Sequence, residues 1–301
     1  MQVQKSFEAV ERGRLYLVAT PIGNLEDVSL RALETLKQVD WIACEDTRRT
    51  RKLLNHYGIH TPFISYHEHN QDRQGPRILA WLKEGKQVAL VSDAGTPLMS
   101  DPGEALVQAA IAADIPVVSI PGANAAINAL IVSGLPARRF TFLGFLPRQE
   151  KRMREELRHY RRMRETLVLY EAPHRLAQLL QAALDELGNR RVVLVRELTK
   201  KHEEIIRGTL SEAVAWAAGN GIRGEFTVLI EGSGESDETE ATETAAFWST
   251  WDIPAHVAWY VEQGMSRMEA MKQVAKDRNM SKREVYRCLV ESESESRSSD
   301  K

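Results

Sequence analysis

An α/β protein with a mainly parallel sheet and helices on its faces is the fold class this sequence predicts. Three observations carry that prediction. Short apolar, β-branched runs alternate with patterns of helical period over roughly the first 230 residues, the order that parallel strands with crossover helices require. A composition 43% hydrophobic and 27% charged over 301 residues is that of a globular protein with room for two domains. An acidic stretch bearing Gly and Ser, beginning near Gly232, then separates a purely helical pattern from all that precedes it.

The elements follow in order. Residues 1–13 are polar and are expected to fray. Arg14–Ala19 is the first strand, with the loop Thr20–Asp27 after it. Ser29 caps a helix over Leu30–Lys37, in which Leu30, Leu33 and Leu36 recur at helical spacing. Val39–Cys44 is the second strand, ending in Glu45-Asp46-Thr47-Arg48-Arg49 and leading to a helix through Leu54. Thr61–Tyr66 reads as a strand, followed by His67-Glu68-His69 and a helix around Gln74–Lys83. Gln87–Val91 is a buried strand. Beyond it Asp101 is placed to cap a helix over 103–113, with Pro102 at the first position and Glu104 at the reciprocal capping-box position. Ile115–Ile120 is a further strand, broken by Pro121-Gly122-Ala123-Asn124 before an Ala-rich helix.

A second unit begins near Gly134. Strands are expected over Arg139–Phe145, Thr166–Tyr170, Arg191–Glu197, Glu203–Gly208 and Glu225–Ile230, with helices near 148–163, 174–187 and 210–218. The strands 191–197 and 203–208 lack an intervening helix, which predicts an antiparallel pair in a mixed sheet. Past the acidic stretch, Ser266/Glu269 and Ser281/Glu284 form two capping boxes one short helix apart. Met268, Met271, Val274 and Ala275 make an apolar stripe, and Val285 with Leu289 the next. Together they predict a helix-turn-helix pattern jointed around Asn279. Glu291–Lys301 is of low complexity and is expected to be disordered.

The bulk properties narrow the function classes. A net charge of −2 carries no global signal for nucleic acid, so any basic surface must be local. Two cysteines, Cys44 and Cys288, without metal-type spacing fit a reducing compartment. No apolar signal core opens the chain and no run approaches the ~20 apolar residues of a membrane span, so the expected location is cytoplasmic. The usual phosphate-loop, dinucleotide and zinc motifs are missing and no metal is implied by ligand spacing. What remains is a set of loops at strand carboxyl ends, 20–27, 45–48, 92–97, 121–125 and 171–175, where an α/β sheet places a ligand.

Within those loops each residue has two readings. Asp93 is either an Asx-turn residue or a ligand contact. Glu45 and Asp46 precede Thr47, so one of them caps the following helix, or alternatively a carboxylate there faces a ligand. His67 and His69 read more simply as an exposed turn. Arg48 and Arg49 form either a solvated helix face or a phosphate contact. Residues 148–164 hold eight Lys/Arg against three Asp/Glu, a concentration that favours an RNA backbone over a merely solvated face.

The stretches Ala19–Leu25, Cys44–Arg48, Ser92–Pro97 with Ser100–Gly103, Pro121–Ala123 and Glu171–Arg175 closely resemble one bacterial family. It is the ribosomal RNA small-subunit methyltransferase I family of the tetrapyrrole methylase superfamily, and the resemblance covers about residues 13–232. It implies two α/β/α domains, 13–121 and 122–232, with the active site in the cleft between them. An acidic linker at 233–244 and a helix-turn-helix-like domain at 245–290 complete the expected organisation. It further implies a homodimer that uses S-adenosylmethionine to methylate a cytidine ribose 2′-hydroxyl in the decoding region of 16S rRNA, naked or in the small ribosomal subunit. Carried over motif by motif, the cofactor contacts are Pro21, Asp93, Ala94, Thr96, Ala123, Asn124, Glu171 and Ala172. Tetrapyrrole-acting relatives have a more glycine-rich first loop than Thr20-Pro21-Ile22-Gly23, which argues against a tetrapyrrole substrate. Glu45, Asp46 and His67 are the candidates for accepting the ribose proton. Arg48, Arg49, Lys151, Arg152, Arg154 and Arg161 are the candidate RNA contacts. The rival functions are methylation of a small tetrapyrrole-like substrate and a nucleic-acid-binding regulator.

Overall fold

The structure, a computed structural model, describes residues 3–6, 12–219, 221–234, 251–278 and 280–298. The chain divides into two compact units, Met1–Ser233 and Gly234–Lys301. The linker expected at 233–244 lies outside the described residues from 235 onward, as do residues 245–250 and Asn279.

The first unit holds two five-stranded sheets. Five short apolar runs become β1 (Leu15–Val18), β2 (Trp41–Cys44), β3 (Phe63–Ser65), β4 (Val88–Val91) and β5 (Val117–Ile120). They pair in the order β3-β2-β4-β1-β5, every pair parallel. Parallel pairing demands crossovers, and α1 (Leu30–Gln38), α2 (Thr47–His56), α3 (Gln71–Lys83) and α4 (Glu104–Ala112) supply them. The sheet is covered on both faces. Val18, Ile42, Ala89 and Ile120 sit in one apolar cluster, and Leu15, Ala43, Val88 and Leu90 sit in another. A strand covered in this way has no polar face, which is why β4 reads as an unbroken apolar run.

The second sheet comprises β6 (Phe140–Gly144), β7 (Thr166–Glu171), β8 (Arg191–Arg196), β9 (Glu204–Thr209) and β10 (Phe226–Ile230), in the order β6-β7-β10-β8-β9. β6 and β7 are parallel, and the remaining pairs are antiparallel, including the predicted β8–β9 pair. All five residues of β10 are buried, each large apolar side chain contributing about 1.5–3 kcal/mol. Around the sheet lie α5 (Ala125–Ser133), α6 (Glu150–His159), α7 (Pro173–Leu187) and α8 (Leu210–Gly219). Although α5 follows the last strand of the first sheet, its Ala126, Ala129 and Leu130 pack against Val168, Val193, Val195 and Leu229 of the second. That helix ties the two layers together.

Three expectations are corrected. Of residues 1–13, expected to fray, 1–2 and 7–11 lie outside the described residues, but Gln4 is held: its side chain donates to the Val117 carbonyl and accepts from the Val117 amide, both at 2.9 Å, on the outer edge of β5. Asp101 does not cap the helix after β4. That helix begins at Glu104 behind Gly103, which has φ 139° and no side-chain cap. A Cβ at Gly103 would stand 2.7 Å from Leu90 Cδ2, so a tertiary contact, not the Asp-Pro signal, sets the helix start. Gly103→Ala is expected to destabilise the fold by about 1–3 kcal/mol, read as a lower denaturant midpoint at unchanged slope. The third correction lies in the second unit and concerns both the apolar stripe and the chain end.

That unit consists of α9 (Ile253–Glu262), α10 (Arg267–Asp277) and α11 (Lys282–Ser298). Both predicted capping boxes form, at Ser266/Glu269 and Ser281/Glu284. Met271, Val274, Ala275, Val285 and Leu289 are in its core, but Met268, assigned to the same stripe, is 68% exposed. α11 runs to Ser298 where disorder was expected from Glu291. Among the described residues no helix is long and apolar enough to cross a membrane.

Candidate active site

Because all strands of the first sheet are parallel, the loops after β1, β2, β4 and β5 emerge on one side. They meet residues from the β7–α7 turn and from the β8–β9 connection around a cleft of about 570 Å³. The loops are knitted before any ligand arrives. Thr20 and Gly95 exchange backbone hydrogen bonds of 2.9 and 3.0 Å, and the Ser92 hydroxyl donates to the Gly95 carbonyl. Gly95 has φ +84°, and a Cβ there would lie 3.2 Å from Ile22 Cγ2. Only glycine lets the two loops approach in this way. Across the cleft, the Asn24 amide donates to the Thr199 hydroxyl. The Tyr170 hydroxyl accepts from the Ala126 amide at the start of α5.

Among the ionisable residues of the lining carboxyl groups outnumber bases: Glu45, Asp93, Asp101, Glu171, Glu197 and Glu225, against Arg49, Lys200 and His174. Asp93 is not an Asx-turn residue. Its Oδ1 accepts from the Asp46 amide at 2.8 Å, and its Oδ2 lies 3.7 Å from Arg49 Nε. Burial, then the charges of Glu45 and Asp93, push the Asp101 carboxyl up to about 7. Burial, followed by Asp93, also raises Glu45. Leu98 and Ser100 both sit at positive φ, 70° and 69°, so the turn that carries Asp101 into the cleft is strained, as backbone at functional sites often is. Glu171 is buried at 2% exposure; its Oε1 accepts from the Ala172 amide, while its buried Oε2 has no hydrogen-bond partner. Burial raises its pKa. A concave, carboxyl-rich site with an unsatisfied buried acceptor suits a cationic ligand with amine or hydroxyl donors.

The predicted residues separate into groups. Asp93, Ala94, Thr96, Asn124, Glu171 and Ala172 line the cleft, and Pro21 and Ala123 do not. The neighbour of Pro21, Ile22, takes its place at the wall, whereas Ala123 offers its carbonyl to the Thr96 hydroxyl. Asn124 both caps α5 and donates to the Thr96 hydroxyl. The ambiguity at Glu45-Asp46 resolves cleanly. Asp46 is the N-cap of α2, paired with Arg48 and held down at about 2 by those hydrogen bonds, and Glu45 is on the cleft wall. His67 lies near Glu45 but off the wall, bonded to Asn70. Asp101, Tyr170 and the β8–β9 connection with Glu197 and Lys200 were not predicted as site residues. Asp101 carried a motif signal but read as a helix cap, Tyr170 lies within β7, and Glu197 and Lys200 had only their position after β8.

Among the basic candidates, Arg49 lines the cleft and Arg48 is occupied with Asp46. Lys151, Arg152 and Arg161 are exposed. Arg154 is not a surface cation: Glu150, Asp185 and Glu186 surround it at 2.8–3.4 Å, binding α6 to α7. The predicted consequence is a split. Arg154→Ala should lower the melting temperature, whereas Arg152→Glu with Arg161→Glu, at exposed positions, should leave it unchanged; equal melting shifts would remove the distinction.

The fold, with its cleft at the strand ends, is of the tetrapyrrole-methylase class. Residues 14–214 match the family described as Tetrapyrrole (Corrin/Porphyrin) Methylases. Solved structures agree on the fold: a diphthine synthase superposes with TM-score 0.57 at 15% identity, covering 73% of this chain and 90% of that one. A uroporphyrin-III C-methyl transferase from Thermus thermophilus, complexed with S-adenyl homocysteine, gives 0.52 at 21% identity, covering 72% and 97%. Two sequence relatives are much nearer. The ribosomal RNA small subunit methyltransferase I of Halalkalibacterium halodurans is 52% identical over 287 residues, covering 95% of this chain and 98% of that protein. Its namesake from Bacillus subtilis is 51% identical over 276 residues, covering 92% and 94%. The chain belongs to the ribosomal RNA small subunit methyltransferase I family, and its methyl donor is S-adenosylmethionine.

Proposed function

We propose that this chain methylates the ribose 2′-oxygen of a cytidine in the decoding region of 16S rRNA, in the cytoplasm. The observation that supports it best is the carboxyl-rich cleft at the strand ends, which adjoins a second cavity of about 520 Å³ through shared Glu45, Ser100 and Asp101. The first fits the donor and the second gives an acceptor nucleoside access from solvent. When bound, S-adenosylmethionine supplies an electrophilic methyl group on a positively charged sulfur. Asp93, Asp101, Glu45 and Glu171 balance that charge, while the loops carrying Ala94, Thr96, Asn124 and Ala172 fix its orientation. Most of the acceleration then comes from holding the acceptor oxygen in line with the methyl group.

The ribose proton must leave during or after transfer, and Glu45 is the proposed acceptor. It stands where the two cavities meet, and its raised pKa makes it a stronger base than an ordinary carboxylate. Asp46, held near 2 by Arg48, is a weak base, and His67 lies off the wall. Arg49 at the rim is suited to an RNA phosphate next to the acceptor. A homodimer accords with the outer face of α5, where Ile131 is 67% exposed beside exposed Ile127 and Val132.

The decisive test incubates the protein and methyl-labelled S-adenosylmethionine with small ribosomal subunits from an undermethylated strain. Label on a 16S cytidine 2′-oxygen is the expected result. Label on a tetrapyrrole, on a base, or nowhere overturns the reading.

A further inference from the structure

The segment 264–290 carries seven Lys/Arg against three Asp/Glu, and the structure accounts for each of the acids. Glu269 is consumed by the Ser266 capping box, accepting from both the backbone amide and the hydroxyl. Glu284 does the same at Ser281. Asp277 accepts from the Tyr260 hydroxyl at 2.7 Å and from Gln273 at 2.8 Å, next to the buried His256. Arg278 is turned inward as well, donating to His256 Nδ1 and to the Trp251 carbonyl. The acids thus serve helix starts and one internal network, while Lys272, Lys276, Lys282 and Arg283 are exposed.

Their spacing makes surfaces of them. Lys272 and Lys276 lie one turn apart on α10, beside exposed Met268. Lys282 and Arg283 open α11, and Tyr286, one turn on, is 59% exposed. A tyrosine left in water among cations has no core to fill, but it does offer a ring on which a base can stack.

We infer that the second unit is an RNA-binding module: Lys272, Lys276, Lys282 and Arg283 hold the phosphate backbone of the rRNA, with Tyr286 as a stacking surface. The inference rests on the reading of rRNA as substrate, and it assigns to this unit a share of affinity that the methyl-transfer cleft does not supply. An acidic protein would match the charge alone. The exposed ring amid the cations favours RNA.

The test compares the full chain with its Lys272→Glu, Lys276→Glu, Lys282→Glu, Arg283→Glu variant, binding a 16S rRNA fragment over a range of salt. Each lost phosphate contact lowers the slope of log affinity against log salt by about 0.7–0.9, so the slope should fall by about 3 and affinity at low salt by at least about tenfold. S-adenosylmethionine affinity should not change, and the all-arginine (lysine-to-arginine) version should bind as the native chain does. Unchanged RNA affinity and slope, or equally tight binding of polyglutamate by the native chain, overturn the inference. Should the fourfold variant melt early, Lys282→Gln and Arg283→Gln singly give the same decision, each lowering the slope by about 0.7–0.9 or leaving it. A native chain that binds RNA through these residues yet transfers no methyl to it would sink the proposed activity and leave the module standing.

Discussion

Asp93→Ala is expected to weaken S-adenosylmethionine binding by about ten- to a hundredfold, the range in which hydrogen bonds to charged groups fall. The size follows from how many elements one carboxylate holds. Oδ1 fixes the Asp46 amide at the start of α2, and Oδ2 faces Arg49. Removing it loosens the loop after β2 against the loop after β4, and takes away a negative charge that a cationic donor needs. Asp93→Asn would keep one acceptor for the Asp46 amide and lose the charge. Calorimetry should therefore rank native above Asn above Ala. Equal affinity of all three would reduce Asp93 to a bystander.

Asp101→Asn is expected to move stability and affinity in opposite directions. In the folded chain Asp101 keeps its proton up to about pH 7, against an ordinary value of 3.8. Between those values the folded state binds more protons than the unfolded one, so stability falls as pH rises through that window and stays lower above it. Asparagine has no such penalty, and at pH 8 the variant should melt higher by a few degrees, on the scale of about 2–4 °C per kcal/mol for a chain of this size. A cationic ligand favours the ionised carboxylate and expels the proton, so native affinity should climb with pH until about 7 and then level. The variant's profile should be flat and at least about tenfold lower at pH 8. A variant that binds as tightly as the native chain with the same pH profile would show that Asp101 does not meet the donor.

These two residues also mark which part of the cleft wall the sequence makes legible and which part it hides. Asp93 was legible because the apolar run of β4 fixes the strand end, and a parallel sheet sends the next residues to the ligand side. Asp101 was hidden behind a local pattern, Asp-Pro-Gly-Glu, that mimics a helix start. The real start is set by Gly103 lying against Leu90, a contact between residues whose proximity no short-range rule contains. At Glu45 and Asp46 a helix cap and a ligand-facing carboxylate were rival readings, and geometry makes Asp46 the cap and sets Glu45 on the cleft wall. Arg154 misled for a similar reason: its partners Asp185 and Glu186 lie about thirty positions away on another helix. The β8–β9 connection escaped notice because Glu197 and Thr199 take positive φ, 50° and 67°, without being glycine.

The Gln4 contact on β5 has a consequence for how the molecule keeps to itself. An edge strand of a parallel sheet presents unpaired amides and carbonyls, and a second molecule can extend the sheet across them. The primary amide of Gln4 engages both groups of Val117, Nε2 donating to its carbonyl and Oε1 accepting from its amide. One side chain thereby does what another strand would do, and it offers no further edge for growth. The first sheet is closed against intermolecular pairing at that residue by a few atoms from the beginning of the chain.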